Sequence, residues 1–276
     1  MRVQLVTDTA ADIPQHIIDE YNIEIVPLSI IFGNEVYLDG IEITTPDFYE
    51  KMAATKGLPK TSQPTPQAFV EAFQRAHSRG PVLCITLSSG LSGTYQSAVL
   101  AKAMVDFEVE VIDSLNISIG IGMQVIEACR LAERGKSLQE IKEAILKYRS
   151  EMIAYFTLNT LENAVKGGRV KPWEGGIAQF LSIKPVMSTL PDGTLGNSEK
   201  IRGRKKAIKR LLELVKNTKM DFSSTVIGIA HSSEEDEINH IIKEITTNLN
   251  PKELIITDLG PVFGTHGGFG VIGIIV

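Results

Sequence analysis

The sequence predicts an α/β protein of two domains, and three observations carry that expectation. Short β-branched runs alternate with helical patterns along the whole chain. Residues 82–87, VLCITL, are apolar on both faces, as in a parallel sheet covered on two sides. The length of 276 residues with 43% hydrophobic residues suits one large domain or two modest ones, each with a sizeable core.

Taken in order, residues 2–7 and 23–31 read as strands. Between them Asp12, with Pro14 two places on, opens a short helix: Asp can cap it and Pro suits its first turn. Gly33-Asn34 accepts positive φ and marks a hairpin. Thr65-Pro66 starts a helix with Phe69, Val70 and Phe73 on one face. Strands at 82–87 and 108–113 follow, then helices at 120–134 and 137–150. A second half begins near residue 155, which divides the chain into domains 1–155 and 156–276. Strands are expected there at 183–190, 225–230, 253–258 and 271–276. A tight Pro-Asp-Gly turn falls at 191–193, and helices at 203–217 and 234–248. The expected architecture is a parallel-sheet-containing N-terminal lobe and a smaller α/β C-terminal lobe. The cleft between such lobes is a favoured ligand site.

Composition narrows the partners. A net charge of −5 disfavours nucleic acid. Cys84 and Cys129 lie in apolar segments without metal spacing, so reduced thiols and a cytoplasmic location are expected. No metal site is expected: Asp8 has no second ligand at useful spacing and reads as a hydrogen-bond partner of a helix start. MRVQLVTDTAAD is too short in its apolar part, and too acidic, for a signal peptide. No run of 18 apolar residues exists.

Three polar segments carry chemistry. In SSGLSGTYQSA, residues 88–98, a buried strand delivers the chain to a Ser/Gly turn that opens a helix at Gly93. Backbone N–H groups at such a start carry roughly half a positive charge together. Gly90 and Gly93 leave the backbone approachable, and Ser89, Ser92 and Thr94 add hydroxyls. The turn can hold a carboxylate or a phosphate, or Ser92 can simply cap its own helix. PKTSQPTP, residues 59–66, is a stiff extended segment bearing Thr61 and Ser62. GPVFGTHGGFG, residues 260–270, sets five glycines around His266, which can donate to an anion or to Ser92 or Thr61.

Together these segments resemble the DegV family of bacterial fatty-acid-binding proteins. The resemblance runs from VTDTAADIP through KTSQPTP, SSGLSGTYQSA and LENAVKGGRV to GTHGGFG, in family order. It implies a two-domain lipid-binding protein with a long-chain fatty acid in an internal tunnel of the C-terminal domain. The carboxylate would be held by Thr61, Ser92 with Gly93, and His266. There would be no catalysis and no cofactor beyond the bound fatty acid. The acid would be presented to an ATP-dependent fatty-acid kinase, whose acyl phosphate feeds phospholipid synthesis. Segments 153–158 and 177–187 are candidate tunnel walls. One departure stands out: Phe269 occupies the place of the usual proline.

An enzyme reading competes. GLSGT at 90–94 is a near miss to the G-x-S-x-G elbow, and Ser92, Asp258 and His266 fall in the chain order of a serine esterase. Thr94 stands where the elbow needs its final glycine. KIRGRKKAIKR, residues 200–210, reads as a solvated helical face. The resemblance marks Arg202 in it as a contact for the kinase or a transient anionic membrane surface. In the KGGR segment, which resembles a family motif too, Arg169 either contacts the carboxylate region or, as favoured, braces the interdomain turn.

Overall fold

The computed structural model describes residues 2–171, 182–218 and 220–276. The chain forms two compact units. The first takes Met1–Met152 and two short returning segments, Pro191–Thr194 and Gly260–Val262.

In the first unit, strand β1 (Gln4–Asp8) is followed by a 3-10 turn at Thr9–Ala11 and helix α1 (Gln15–Tyr21). The expected strand at 23–31 is two strands, β2 (Glu24–Val26) and β3 (Ser29–Phe32). They part at Pro27, which lacks an N–H for a ladder. β2 joins a parallel sheet, whereas β3 pairs antiparallel with β4 (Glu35–Leu38) through the Gly33-Asn34 hairpin. Helix α2 (Thr45–Ala54), capped by Thr44, leads to β5 (Lys60–Ser62), the third strand of the small sheet. Thr65 caps α3 (Pro66–His77) by accepting from the Ala68 amide. Strand β6 (Val82–Thr86), helix α4 (Thr94–Lys102), strand β7 (Val109–Asp113) and helices α5 (Ile119–Glu133) and α6 (Leu138–Glu151) complete the unit. A capping box between Ser137 and Glu140 starts α6.

The main sheet is parallel throughout in the order β2-β1-β6-β7. The chain leaves β1 toward β2 and leaves β6 toward β7. The loops at the carboxyl ends of β1 and β6 therefore diverge, and the crevice between them is the usual ligand position of such sheets. Val6, Cys84 and Val82 pack with Phe69, Phe73 and Ala98 of α3 and α4 on one face.

In the second unit, β8 (Ala154–Thr157) and α7 (Glu162–Lys166) precede the hairpin β9 (Ile183–Thr189) and β10 (Leu195–Arg202). Then come α8 (Arg204–Lys216), β11 (Val226–His231), α9 (Glu235–Asn248), β12 (Glu253–Asp258), α10 (Pro261–Gly267) and β13 (Ile272–Ile275). The order is β10-β9-β8-β13-β11-β12, with β11 and β12 parallel and the other pairs antiparallel. Four elements here were not expected: β8, α7, β10 and α10. Residues 200–202 of the basic stretch lie in β10 rather than in a solvated helix, and α10 forms despite its glycines. Among the described residues no helix is long and apolar enough to cross a membrane. Both cysteines are free and buried.

The acidic opening motif is folded inward. Asp8 caps the 3-10 turn, as expected, by accepting from the Ala10 amide. Asp12 caps nothing: it takes a left-handed conformation (φ 46°), and its buried carboxyl accepts from the Ser118 hydroxyl and the Gly260 amide. Asp39 accepts from Thr9 and from the Gly40 amide. Burial, reinforced by mutual repulsion, pushes Asp8 up to about 7 and Asp12 well above the usual carboxylate range, and burial pushes Asp39 up to about 7. Unfolded aspartates ionise near 3.8. Between that value and pH 7 the native state keeps protons that the unfolded state has released, so stability falls as pH rises through this window. The melting temperature should accordingly drop by several degrees from pH 5 to pH 7.5. Asp39→Asn should flatten that slope and raise Tm at pH 8; an unchanged slope in thermal melts would contradict the shared burial of these acids.

Candidate functional site

The root of the candidate site is the Asp8 carboxyl at the end of β1. One oxygen accepts from Ala10 (3.1 Å) and the other from the Leu87 amide (2.8 Å), so the loops after β1 and β6 are tied at the crevice. From Leu87 the chain enters the Ser/Gly turn.

Ser88, fully buried, is the pivot of that turn. Its hydroxyl donates to the Gly193 carbonyl (2.8 Å) and accepts from the Gly90 amide (3.2 Å). Its carbonyl accepts from both Leu91 and Ser92 (3.1 Å each). Ser89 is exposed, with its amide on Asp113 (3.1 Å). Ser92 Oγ lies 2.9 Å from Thr94 Oγ1 and accepts from the Thr94 amide (3.3 Å). Ser92 therefore caps its own turn, yet the amides of Gly93, Tyr95 and Gln96 have no acceptor among the described residues. Those donors sit at the start of α4, where an anion is favoured.

The two glycines do not serve the expected purpose. A Cβ on Gly90 would lie 2.9 Å from Thr194 Cγ2 and 3.0 Å from the Asp192 carbonyl. A Cβ on Gly93 would lie 1.9 Å from Gln63 Oε1. Their bare faces are filled by protein, so glycine is needed for close packing rather than for access. What Gly93 can offer a ligand is its amide. Thr61 is held in β5 opposite Ile30, half-buried, two residues before Gln63.

His266 closes α10 in the second unit. Its ring packs over Gly167, where a Cβ would come within 2.5 Å of Nδ1. The KGGR and THGGFG segments thus meet. Arg169 donates to the Gly167 carbonyl (2.7 Å), a contact within its own turn. Burial, and then the nearby Arg169 charge, push the His266 imidazole down to about 4. His266 is therefore neutral at pH 7 and can offer a hydrogen bond but no charge. The loop beyond it is pinned by Ser232, whose hydroxyl donates to Gly268 (2.9 Å) and accepts from Val271 (3.0 Å), and by Asn159 on the Phe269 carbonyl (3.1 Å). Phe269 itself is 52% exposed.

The esterase arrangement does not form. Asp258, 77% exposed, faces His231 Nε2 at 3.8 Å and makes no hydrogen bond to His266. The basic stretch is also thinner than its composition suggests. Arg204 is bound to Glu237 and Ser233, and Arg210 pairs twice with Glu199 at 2.8 Å. Arg202, at the end of β10, remains exposed, as do Lys205 and Lys206.

The six-stranded sheet has two unlike faces. Ile227, Ile229, Ile272 and Ile274 pack against Leu211 and Val215 of α8 and Ile241 and Ile245 of α9. The alternate residues on the other face are Phe156, Met187, Gly228, Ala230, Gly273 and Ile275, all buried. Ala230 pairs with Gly273, and Gly273 with Phe156, so small residues lie side by side on this face. A Cβ on Gly273 would meet nothing nearer than 3.7 Å. Of the candidate tunnel segments, 153–158 contributes Phe156 to this face and 177–187 contributes Met187, while residues 177–181 lie outside the described residues. A separate groove of about 850 Å³ runs between α8 and α9, lined by Ile208, Leu212 and Leu249 and rimmed by Lys205, Lys209, Asp236 and Glu244.

A family model described as an uncharacterised protein of the DegV family matches residues 2–276. A DegV domain-containing protein of Caldanaerobacter subterraneus subsp. tengcongensis is 35% identical over 275 residues, 99% of this chain and 98% of that protein. Among solved structures, a DegV family protein from Thermus thermophilus described by its fatty acid binding superposes with a TM-score of 0.92. It is 31% identical and covers 100% of this chain and 99% of its own. A stearic acid-binding protein from Eubacterium ventriosum gives 0.89 at 26% identity, covering 99% and 97%.

The His266 environment yields a direct test. In the ligand-free protein its imidazole resonances should titrate near pH 4, far below the ordinary histidine value. A midpoint of 6 or higher by NMR would mean that the ring is not desolvated as described.

Proposed function

The chain belongs to the DegV family, and on that footing we propose that it is a non-catalytic carrier of a long-chain fatty acid. The observation that carries this reading is the face of the six-stranded sheet turned away from α8 and α9, where the small residues Gly228, Ala230 and Gly273 lie beside Phe156, Met187 and Ile275; we read this apolar face as the trough that takes the tail. A methylene chain fits such a surface and a phosphorylated polar ligand does not. About a dozen buried methylenes at about 0.8 kcal/mol each give on the order of 10 kcal/mol of gross transfer free energy. Immobilisation costs reduce that considerably. The tail dominates affinity.

The head group is taken by neutral donors. In the first unit these are the Thr61 and Ser92 hydroxyls and the amide of Gly93 at the start of α4. In the second unit it is His266. Hydrogen bonds to a carboxylate contribute about 1.5–3 kcal/mol each before its desolvation is subtracted, enough to orient the acid without trapping it. Similarity to proteins described as binding fatty acids supports the ligand class.

The loaded protein presents its acid to an ATP-dependent fatty-acid kinase, and the acyl phosphate enters phospholipid synthesis. This role rests on the family resemblance. Arg202, exposed and without an ion pair among the described residues, is the contact for that partner or for a transient anionic membrane surface. Each basic charge contributes about 1 kcal/mol near such a surface.

Native mass spectrometry of protein from cells should find one long-chain acid per chain; protein that is empty and takes up no added acid would end this reading. Ser92→Ala should weaken acid binding about tenfold and leave the matching alcohol nearly untouched. Gly273→Leu should weaken both, because it fills the trough. Arg202→Glu should retain acid binding but slow phosphorylation of the bound acid by the kinase; unchanged transfer and unchanged vesicle binding would remove Arg202 from any docking role.

A further inference from the structure

We propose that Gln63 is the positioning residue that sets the distance between the strand bearing Thr61 and the turn bearing Ser92, and so makes the site selective for a carboxylate. The inference rests on the fatty-acid reading above. Gln63 follows β5 directly, one residue beyond its last, Ser62. Its side chain makes two attachments to the start of α4. Nε2 donates to Ser97 Oγ at 2.9 Å, and Ser97 is 2% exposed. Oε1 lies over the Cα of Gly93, 1.9 Å from where a Cβ would stand. The amide therefore rests between Gly93 and the first turn of α4, and a side chain at 93 would have to displace it.

This wedge has a chemical consequence. The free amides of Gly93, Tyr95 and Gln96 point out of the start of α4, and Thr61 is carried by the strand on the other side of the wedge. A carboxylate presents two charged oxygens in a rigid plane and needs donors at matched spacing. Binding sites hold such matches only within about 0.5 Å, and only where neighbouring side chains lock the donors. A primary alcohol has one neutral oxygen that rotates freely, so it tolerates a looser frame. Removing the wedge should therefore affect acids selectively.

The experiment measures dissociation constants of wild type, Gln63→Ala and Gln63→Glu for hexadecanoic acid and the matching primary alcohol, with Tm alongside. Gln63→Ala should lose about tenfold or more in acid affinity, the worth of one hydrogen bond to a charged group, with alcohol affinity within about twofold. Gln63→Glu keeps the wedge, because Ser97 can turn its hydroxyl to donate to the new carboxylate. Its negative charge then repels the ligand, so acid binding should fall at neutral pH and recover as the pH is lowered, with the alcohol unaffected. Equal losses for acid and alcohol, or no loss for either, would overturn the inference, and Gln63→Glu decides the matter if Gln63→Ala does not fold. Wild-type protein that binds neither probe would instead overturn the fatty-acid reading itself, and this inference with it.

Discussion

The ligand edge of the first unit depends on one buried carboxyl. Asp8 joins the loop after β1 to the loop after β6 through the amides of Ala10 and Leu87. Without that link two divergent loops would meet only through their side chains. The rest of the opening motif follows from the same crowding. Thr9 accepts from the Leu28 amide and bonds Asp39, while Ala10 and Ala11 are buried. Asp12 then secures Ser118 and Gly260. Three acids sharing one interior without basic partners are held near neutrality by burial, and their amide and hydroxyl bonds satisfy what remains of their polarity.

The candidate head-group residues share a different economy. None of Thr61, Ser92 and His266 carries a charge at neutral pH, since burial keeps the His266 ring deprotonated. A site of neutral donors avoids the large desolvation cost of a buried ion pair. In the proposed reading, affinity is left to the apolar face of the second sheet. The glycines take part indirectly: Gly90, Gly93 and Gly167 exist so that Thr194, Gln63 and His266 can come close. A glycine-rich motif here records packing between segments far apart in sequence more than openness to a ligand.

Much of the fold was legible because its signals are local. The all-apolar β6, the Thr65-Pro66 start of α3 and the Gly33-Asn34 hairpin each rest on residues within a few positions of one another. The head-group candidates were legible as hydroxyls, glycines and a histidine at turns. What was read wrongly involved competition between partners. Residues 23–31 are rich in isoleucine and valine and read as one strand, yet the chain parts at Pro27 and its halves join different sheets. Asp12 resembles a helix cap but is claimed by Ser118 and Gly260. Asp258 resembles a catalytic orienter but faces His231.

The sequence alone therefore determined the alternation of strands and helices, the caps, and which segments carry polar chemistry, because helix and strand periods and turn conformations are set by neighbouring residues. Only the tertiary structure decided that Ser88 rather than Ser89 anchors the turn through Gly193, 105 residues away, and that Gln63 fills the space above Gly93. It also decided that His266 is neutral, and that small and apolar residues gather on one face of the second sheet. Hydrogen-bond partners, desolvation and free volume depend on which distant atoms arrive at the same place, and local sequence does not encode that arrival.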